Sequence, residues 1–557
     1  MLDASVIAGS FTQLVPGRWR AALENFLPRG SSAERINTVE AALRSPVGQP
    51  LRDATARWIV DEIVPVKQIV PESYLKWRTP VREAMTYVVA HLSPQRLAPK
   101  IIEQIELPMD TPAEARLLRL IAKVPGLQKL GQVIARNQHL RPALRTALTK
   151  LENGIRDVKP EDIRALIERA LGPQLKKFDV RIAPGILSEA SVSAVMRFTW
   201  KNPGTERRER GVFKVLKPHI PEYFAEDMSY LHGLAEHFGD QHHTYGFEAD
   251  LIPDTFRKVQ RLLRHEVNFI REQKTLLEAW SLYRNIAGVR VPHVVKPLCT
   301  SAITALTEES GIKVTSAAAR VPISARQRIA EQIVESLIAI PLFAATPDAI
   351  FHGDPHAGNL LYNNRTRELT IIDWALRERL DREQRRHLAL LLLMVSLRDP
   401  RATFHEIALL SQRRIRMNSR RGRMIRALTT DFLDELPASR LPSGADAMRL
   451  LERVAIEGIK FPSSLIMLSK VMFTLEGLLG DIVGSETGMG FALARQVARH
   501  WLSNRSAFRS PLLTRDWLSL QCSALLYPGR LWVQWEQATL NRLLARKAAS
   551  TSAIGSS

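Results

Sequence analysis

The stretch that decides the fold is Phe351-His352-Gly353-Asp354-Pro355-His356-Ala357-Gly358-Asn359-Leu360-Leu361-Tyr362, followed after a short gap by Leu369-Thr370-Ile371-Ile372-Asp373-Trp374. The apolar runs 359–362 and 369–372 flank the polar turn Asn363-Asn364-Arg365-Thr366. Apolar runs bounded by Asn and charged residues predict a β-hairpin. Such a hairpin would hold Asp354 on the loop before it, Asn359 at its entry and Asp373 at its exit.

The spacing of these three polar residues is typical of the phosphate-handling loops of kinase-like folds. In those folds the first Asp orients the attacking oxygen, while the Asn and the second Asp hold Mg²⁺ against the phosphates. Because Mg²⁺ keeps several waters, one carboxylate and one amide suffice as protein ligands. We therefore predict a catalytic role for Asp354 and metal ligands in Asn359 and Asp373. An ordinary hairpin with polar ends is the simpler alternative, since Asp, Asn and Gly are common in turns.

Two histidines, His352 and His356, lie beside Asp354 and could suggest a metal-binding pair. We expect instead that His352 packs and forms hydrogen bonds beneath the catalytic loop.

The composition is that of a large globular chain. Its 557 residues, 45% hydrophobic and 24% charged, can bury a sizeable core and form two or three structural units. Cys299 and Cys522 lie far apart without disulfide or zinc spacing, which favours a reducing setting. No secretory signal is evident at the start, and the most apolar windows are too short, charged or broken for membrane spans. We expect a cytoplasmic protein, with a peripheral position at the inner face of a membrane as an open alternative.

The formal charge of +21 favours a polyanionic partner. Between positions 411 and 426 the chain carries seven arginines with apolar residues between them. Near the C-terminus, tryptophans alternate with Leu and Arg, and amphipathic aromatics suit a membrane interface; they are Trp501, Trp517, Trp532 and Trp535. We favour an anionic membrane surface or an isoprenoid lipid over nucleic acid. A solvated basic loop and ordinary core tryptophans are the simpler alternatives.

From Phe178 the pattern changes to short strands. The runs 178–182, 187–198 and 211–216 predict a twisted antiparallel sheet with Lys214 at the centre of its third strand. A Lys inside an apolar strand is costly unless its ammonium meets an anion, which in kinase-like lobes is the nucleotide phosphate and a helix Glu. An edge strand with an outward-facing Lys214 is the alternative, and Lys217 is a competing candidate.

The next segments would complete the nucleotide site. A helix over 253–286 carries Glu266 and Glu272, and either could pair with Lys214. After predicted strands over 294–298 and 303–306, the polar stretch 307–311, which contains Glu308, offers backbone groups to an adenine. No Walker or Gly-x-Gly-x-x-Gly motif lies at a strand–helix junction, so the small-residue segment 188–194 is the candidate phosphate-facing turn.

Taken in order, these pieces resemble the UbiB (AarF-domain) family of atypical protein-kinase-like proteins over about residues 110–400. Five motifs carry the resemblance. They are Lys129-Leu130-Gly131-Gln132 for the family's Lys-x-Gly-Gln signature, 188–193 for its Ala-rich loop, 212–218 for its nucleotide-Lys strand, Glu266-Val267-Asn268 for its Glu-x-Asp, and 352–359 with Asp373-Trp374-Ala375 for its catalytic loop and Asp-Phe-Gly.

The resemblance implies an α+β, protein-kinase-like two-lobe fold with a helical N-terminal extension and a helical C-terminal region. The expected divisions are a helical accessory region at 1–110, a helical extension with Lys-x-Gly-Gln at 111–177, an N-lobe at 178–308, a C-lobe at 309–500 and an aromatic and basic tail at 501–557. It implies ATP or ADP with Mg²⁺ as cofactors. The implied catalytic residues are Asp354, Lys214 and Glu266; the nucleotide-binding ones are Ser188, Ala190, Ser191, Lys214, Glu308, Lys129 and Gln132; the metal ligands are Asn359 and Asp373.

By resemblance, the chain is an atypical kinase or ATPase that acts in isoprenoid-quinone or membrane-lipid metabolism. Four departures leave turnover open: Asn268 replaces an Asp, Glu189 adds a carboxylate to the Ala-rich loop, Ala194 replaces a Gln, and Trp374-Ala375 replaces Phe-Gly. Two alternatives remain from the residues alone. One is a small-molecule phosphotransferase of the aminoglycoside or choline kinase type, and the other is a catalytically impaired kinase-like scaffold. The sequence leaves the oligomeric state open.

Overall fold

The computed structural model describes residues 27–135, 158–245, 251–484 and 511–554, apart from positions 28, 47, 71, 345, 414, 417, 438 and 439. The chain forms two compact units. Unit 1 comprises Met1–Arg271 and Val294–Glu308, and unit 2 comprises Glu272–His293 and Glu309–Ser557.

The first part of unit 1 is helical because its apolar residues recur at helical spacing. α1 begins with a capping box in which Ser31 and Glu34 each accept the other's backbone N–H. In α5, Leu97, Ile101 and Ile105 are all buried and lie four residues apart, so they form one apolar face. The helices are α1 Ser32–Arg44, α2 Gly48–Trp58, α3 Val66–Ile69, α4 Arg78–His91, α5 Pro94–Glu106, α6 Ala113–Ile121 and α7 Pro125–Ala135, with a π-helical turn at Ile59–Ile63 and a 3-10 turn at Glu72–Trp77.

A four-stranded antiparallel sheet follows helix α8 (Pro160–Lys177) in unit 1. Its strand order is β1-β2-β3-β5. The antiparallel sheet is as predicted, but the strand expected over 187–198 is wrong, because this stretch contains the end of β1, the turn and only part of β2. Apolar side chains of one sheet face pack on α8, among them Phe198 and Phe213, whose rings stack 4.0 Å apart. The strands are β1 Arg181–Glu189, β2 Ser193–Lys201, β3 Arg208–Leu216 and β5 Ile303–Thr307.

The remaining helices of unit 1 correct one prediction. The helix expected over 253–286 is two helices, α11 Leu251–Glu266 and α12 Phe269–Tyr283, preceded by α9 Ile220–Asp240 and α10 His242–Tyr245. The break falls at Asn268, whose side-chain oxygen accepts the backbone N–H of Arg271 at 2.9 Å. Asn at this position favours the start of a new helix over continuation of the old one. α12 begins in unit 1 and continues in unit 2.

The strand predicted over 294–298 is also wrong. Val294 forms an isolated bridge to Leu306, and Lys296–Leu298 is a 3-10 turn. Pro297 within this segment has no N–H to donate to a ladder.

Unit 2 combines two small sheets with a helical region. One sheet has the order β4-β9-β8-β6, and the other pairs β10 with β7. The strands are β4 Val289–Arg290, β6 Ile312–Lys313, β7 Asp348–His352, β8 Leu360–Asn363, β9 Glu368–Ile371 and β10 Arg377–Asp381. The helices are α13 Val314–Ala318, α14 Ile323–Val334, α15 Ile340–Phe343, α16 Arg382–Ser396, α17 Pro400–Leu410, α18 Arg420–Glu435, α19 Gly444–Ile456, α20 Ser463–Val483 and α21 Thr514–Ile554, with a π-helical turn at Glu335–Ala339.

Helix α20 forms part of the apolar interior of unit 2. Leu468, Val471, Met472 and Leu475 are buried, and the helix packs against α14 and α19. Two thirds of its residues are apolar or Gly, and Lys470 is its one basic residue. Across the described ranges, the structure contains no helix that is both long and apolar enough to span a membrane.

Candidate functional site

The hairpin predicted from the sequence is confirmed. β8 and β9 pair antiparallel with Leu360 opposite Ile371. The turn closes because the side-chain oxygen of Asn363 accepts two backbone N–H groups, at 3.0 and 3.3 Å. Beyond the last pair, the N–H of Ile372 donates to the carbonyl of Asn359 at 3.0 Å. Asn359 and Asp373 are therefore neighbours at the open end of the hairpin.

His352 joins the loop before the hairpin to the residues after it. Its ring is buried, Nδ1 accepts the backbone N–H of Asp354 at 3.2 Å, and Nε2 faces the carbonyls of Ile372 and Asp373 at 3.1 and 2.9 Å. Carbonyl oxygens only accept, so Nε2 carries the proton and the ring has a single tautomer. Burial lowers the pKa of His352, against the opposing pull of Asp373 and Asp354. The ring is therefore neutral, and the expectation that it packs beneath the loop is confirmed.

Trp374 supports the same loop from the other side of the imidazole. The indole is fully buried, its Nε1 donates to the carbonyl of Ile371 at 3.2 Å, and its ring meets His352 edge-on at 5.0 Å. A bulky ring in this position restricts the backbone that follows Asp373.

The donor set at the end of the hairpin fits Mg²⁺. The amide Nδ2 of Asn359 donates to the carbonyl of Asp354 at 3.0 Å, which leaves its oxygen Oδ1 as the group for a cation. Asp373 is exposed and has a left-handed backbone, with φ of 57°. Asp tolerates that conformation better than most residues. One carboxylate and one amide oxygen suit a hard ion that retains its waters.

His356 does not join His352 in a metal site. Its Nδ1 accepts the backbone N–H of Gly358 at 3.0 Å and so shapes the loop. Within the described ranges, no three His, Cys, Asp or Glu side chains form a group that could hold a metal ion.

The sequence analysis missed the cation beside Asp354. Lys470 of α20 places Nζ 3.0 Å from Oδ1 of Asp354, and the two side chains are 30% and 15% exposed. The available signal was one lysine within a largely apolar helix. That pattern shows that the ammonium needs a partner but does not show which one.

In unit 1, the carboxylate of Glu266 contacts two of the predicted residues. The ammonium of Lys129 donates to Oε1, and the hydroxyl of Ser191 donates to Oε2 at 3.3 Å. Lys129 and Glu266 are only 11% and 17% exposed. Gln132 lies on the same helix, α7, but its side chain is outside the described residues.

Helix α7 is fixed at its N-terminus, one turn before Lys129. The backbone N–H of Gly126 donates to the buried carboxylate of Asp227 at 2.8 Å, and Arg96 pairs with the same carboxylate at 2.7 Å. A negative charge at a helix N-terminus is stabilising. A Cβ on Gly126 would lie 2.4 Å from the hydroxyl oxygen of Tyr230, so the close approach of α7 to α9 requires glycine here.

The two candidate lysines, Lys214 in β3 and Lys217 just after it, have different surroundings. Lys214 is partly exposed on the sheet face opposite Phe213 and Val215, and its Nζ lies 5.6 Å from the ring centre of Phe269. Lys217 is fully buried and lies 3.2 Å from the carboxylate of Glu189. The carboxylate that Glu189 adds to the Ala-rich loop is therefore neutralised within the protein. Lys217 is thus paired with Glu189, and Lys214 remains the candidate for binding the nucleotide phosphates.

The segment 188–194 forms the hairpin between β1 and β2. Ser188 is paired with Val195, and the N–H of Ala190 donates to the carbonyl of Ser193 at 2.8 Å. The turn is therefore tight. Ser191 is buried within it, and its hydroxyl donates a hydrogen bond to Glu266.

Glu308 directly follows β5. Its backbone N–H donates to the carbonyl of Arg210 at 3.1 Å, and its carboxylate lies 2.8 Å from Arg197. The N–H is therefore occupied in the sheet.

The structure thus gathers the predicted residues into two groups. In unit 2, Asp354, Asn359 and Asp373 share one hydrogen-bond network through His352. In unit 1, Lys129, Ser191 and Glu266 share another.

Comparison with known proteins identifies the domain that contains most of these residues. Residues 150–406 match the model of the ABC1 atypical kinase-like domain. This range includes Lys214, Glu266 and the whole of the hairpin network, whereas Lys129 and Lys470 lie outside it.

Similar curated proteins come from plants and bacteria. The chain is 27% identical over 237 residues to "Protein ACTIVITY OF BC1 COMPLEX KINASE 7, chloroplastic" of Arabidopsis thaliana, which covers 42% of this chain and 32% of the relative. It is 23% identical to "Probable protein kinase UbiB" of Haemophilus ducreyi over 46% of each chain. The protein of the same name from Azotobacter vinelandii is 24% identical over 70% of this chain and 71% of its own. The first two matches thus span only about a third to a half of the relative's length.

Among solved structures, the complex of Rv3197 with erythromycin from Mycobacterium tuberculosis aligns with a TM-score of 0.42 at 15% identity, covering 66% of this chain and 92% of that one. The family match and the helix and strand order agree with an α+β kinase-like fold, as predicted. The match of residues 150–406 to the ABC1 atypical kinase-like domain and the similarity to proteins named UbiB thus support the predicted resemblance to the UbiB (AarF-domain) family.

Proposed function

We propose that this protein is an atypical kinase or ATPase that binds ATP or ADP with Mg²⁺. The observation that carries the proposal is the network around His352, which presents two oxygen ligands and a carboxylate from one short segment. In this proposal, Asn359 and Asp373 hold the metal, and Asp354 orients the attacking oxygen. A bound Mg²⁺ would neutralise charge on the phosphates.

Unit 1 contains the remaining candidate nucleotide-binding residues. Lys214 is the cation for the phosphates, and the turn of Ser188, Ala190 and Ser191 offers backbone groups to them. Glu266 would position the lysine side chains that meet the phosphates. Its carboxylate is already hydrogen-bonded to the ammonium of Lys129. The support is chemical: each residue has the charge and donor type that a Mg-nucleotide requires.

The acceptor is proposed to be an isoprenoid-quinone precursor or a membrane lipid, reached at an anionic membrane surface. Helix α21 exposes Leu518, Leu525 and Trp532, whose spacing of seven residues places them on one side of the helix. Leu526 and Val533 are exposed beside them. An apolar helix face of this kind suits the interface of a bilayer.

The arginine cluster of residues 411–426 supports the same proposal. All its described arginines are exposed, while Ile415 and Ile425 between them are buried. The apolar residues therefore anchor the segment and leave the guanidinium groups to solvent, where they can meet lipid phosphates. Arg414 and the side chain of Trp535 lie outside the described residues, as does Trp501.

The test of Mg-nucleotide binding is Asp373→Asn. Removing the only carboxylate of the proposed metal pair should weaken Mg²⁺-dependent binding of ADP by more than about tenfold, the worth of one charge-assisted contact. Isothermal calorimetry with Mg²⁺ and with EDTA measures this, while thermal unfolding reports whether the fold is retained.

Asp431→Asn is the matched control, because Asp431 is an exposed carboxylate on α18 of the same unit. It should leave the affinity unchanged. Equal affinities in wild type and Asp373→Asn would overturn the proposed metal site.

One observation favours a second candidate, a nucleotide-binding scaffold without turnover. Glu266 is already bonded to Lys129, so its carboxylate is committed before any nucleotide arrives. ATP hydrolysis should be measured with and without anionic liposomes and a quinone-precursor mimic. Nucleotide binding with no hydrolysis under every condition would favour the scaffold over the enzyme.

A further inference from the structure

Lys470 lies beside the proposed catalytic carboxylate although it comes from a distant helix outside the matched kinase-like domain. Its Nζ is 3.0 Å from Oδ1 of Asp354, and 116 residues separate the two along the chain. The family match ends at residue 406, before α20 begins. The contact is thus a feature of this chain's C-terminal helical region.

The position of Lys470 is set by a packed helix rather than by a loose side chain. Its neighbours Leu468, Val471 and Met472 are buried. Further along α20, Glu476 pairs with Arg449 of α19, which ties the two helices together. The ammonium is therefore presented to Asp354 from a rigid support, which is what a site requires of its positioning groups.

The electrostatics explain what such a cation could do. A carboxylate that orients the attacking oxygen lies near the terminal phosphate of the nucleotide. The negative charges of the carboxylate and the phosphate repel each other. An ammonium in hydrogen-bond contact offsets this repulsion and fixes the orientation of the carboxylate. The pair is partly solvated, so it contributes little to the stability of the fold.

We propose that Lys470 is a positioning residue of the phosphoryl-transfer site, which holds Asp354 in place and compensates its charge toward the terminal phosphate. This inference rests on the proposed binding of Mg-nucleotides. It extends the site beyond residues 150–406 to helix α20.

Lys470→Ala and Lys470→Gln test the inference through the ratio of ATP to ADP affinity. Without the ammonium, Asp354 repels the terminal phosphate, so MgATP should bind about tenfold more weakly while MgADP changes little. Adding Asp354→Asn to Lys470→Ala should restore the ratio, since the repelling charge is gone. Where hydrolysis is measurable, kcat should fall more than KM changes, and Lys470→Arg should recover much of the loss.

Arg453→Ala is the matched control. It removes a cation of α19 that pairs with Glu435 of α18 rather than with α20, so the ATP to ADP ratio should stay within about twofold of wild type. Thermal unfolding shows whether each variant is folded. If Lys470→Ala unfolds, Lys470→Gln provides the test, because it keeps a long side chain without the charge.

The outcomes separate the two proposals. If the wild type binds no Mg-nucleotide, the proposed function fails and this inference fails with it. If the wild type binds but both Lys470 variants keep the wild-type ratio, the inference alone is overturned and the ion pair is only a structural contact.

Discussion

Among single residues, His219 has the most unusual charge environment. It lies just after β3, and its Nε2 is buried without a hydrogen-bond partner among the described residues. Burial is the main cause that lowers the pKa of His219 to about 4, and the cations of Lys217, Lys123 and Arg96 add to it. The folded protein therefore keeps this imidazole neutral well below its ordinary pKa.

The pKa of His219 predicts a pH dependence of stability. The unfolded chain binds a proton below the ordinary value of 6.5, whereas the folded chain does so only near 4. The stability is therefore fully present above about pH 6.5 and is lost as the pH falls toward 4. His219→Gln should reduce the drop in the urea midpoint between pH 7 and pH 5.

His232→Gln is the control for this measurement, because His232 is 67% exposed. It should show the same drop as wild type. If the urea midpoint of His219→Gln drops between pH 7 and pH 5 by as much as that of wild type, His219 is not the cause of the pH dependence.

At the residue level, the sequence predicted that the candidate residues lie together where the signal is local. Asp354, Asn359 and Asp373 lie within about twenty positions of one another, and the hairpin between them is encoded by adjacent apolar runs. The partners of Asp354 and Glu266 are different, since Lys470 is 116 and Lys129 is 137 residues away from them. Only packing of distant helices decides such pairs, so Lys470 was missed and Lys129 was proposed through resemblance alone.

At the scale of elements, the hairpin of β1 and β2 is joined to the end of β3 by a buried ion pair. Glu189→Gln removes the carboxylate from the fully buried ammonium of Lys217. Leaving a buried charge without its partner should lower the free energy of unfolding by about 3 kcal/mol. Denaturant unfolding at neutral pH measures the change.

The double variant Glu189→Leu with Lys217→Met is the companion experiment. Replacing both charges with apolar groups of similar size should recover most of the lost stability. If Glu189→Gln is as stable as wild type, the ion pair is not needed for the stability of the fold.

The helix break at Asn268 shows why element boundaries were the weaker part of the prediction. The apolar periodicity continues from α11 into α12, so spacing alone indicates one long helix. The break depends on a side-chain hydrogen bond to the N–H of Arg271. A residue that can either continue a helix or cap the next one is decided by tertiary context.

For the whole molecule, the formal charge of +21 and the exposed side of α21 predict binding to anionic vesicles. Binding should weaken as salt rises, because screening reduces the attraction of arginines to lipid phosphates. Leu525→Ser with Trp532→Ser should reduce it further, since 81% and 62% of these side chains are exposed. Vesicle co-sedimentation at two salt concentrations measures both effects.

Ile456→Ser is the control, because Ile456 is 82% exposed at the end of α19 rather than on α21. It should bind vesicles as wild type does. Equal binding to neutral and anionic vesicles would contradict the electrostatic part of the proposal.

The location of Glu266 as the last residue of α11 has a thermodynamic consequence. The C-terminal end of a helix is electrically negative, so a carboxylate there depends on a nearby cation. A polyphosphate that attracts Lys129 deprives Glu266 of its counter-ion, and a second cation that pairs with Glu266 releases Lys129. Because linkage is reciprocal, the anion and the second cation should each tighten the binding of the other.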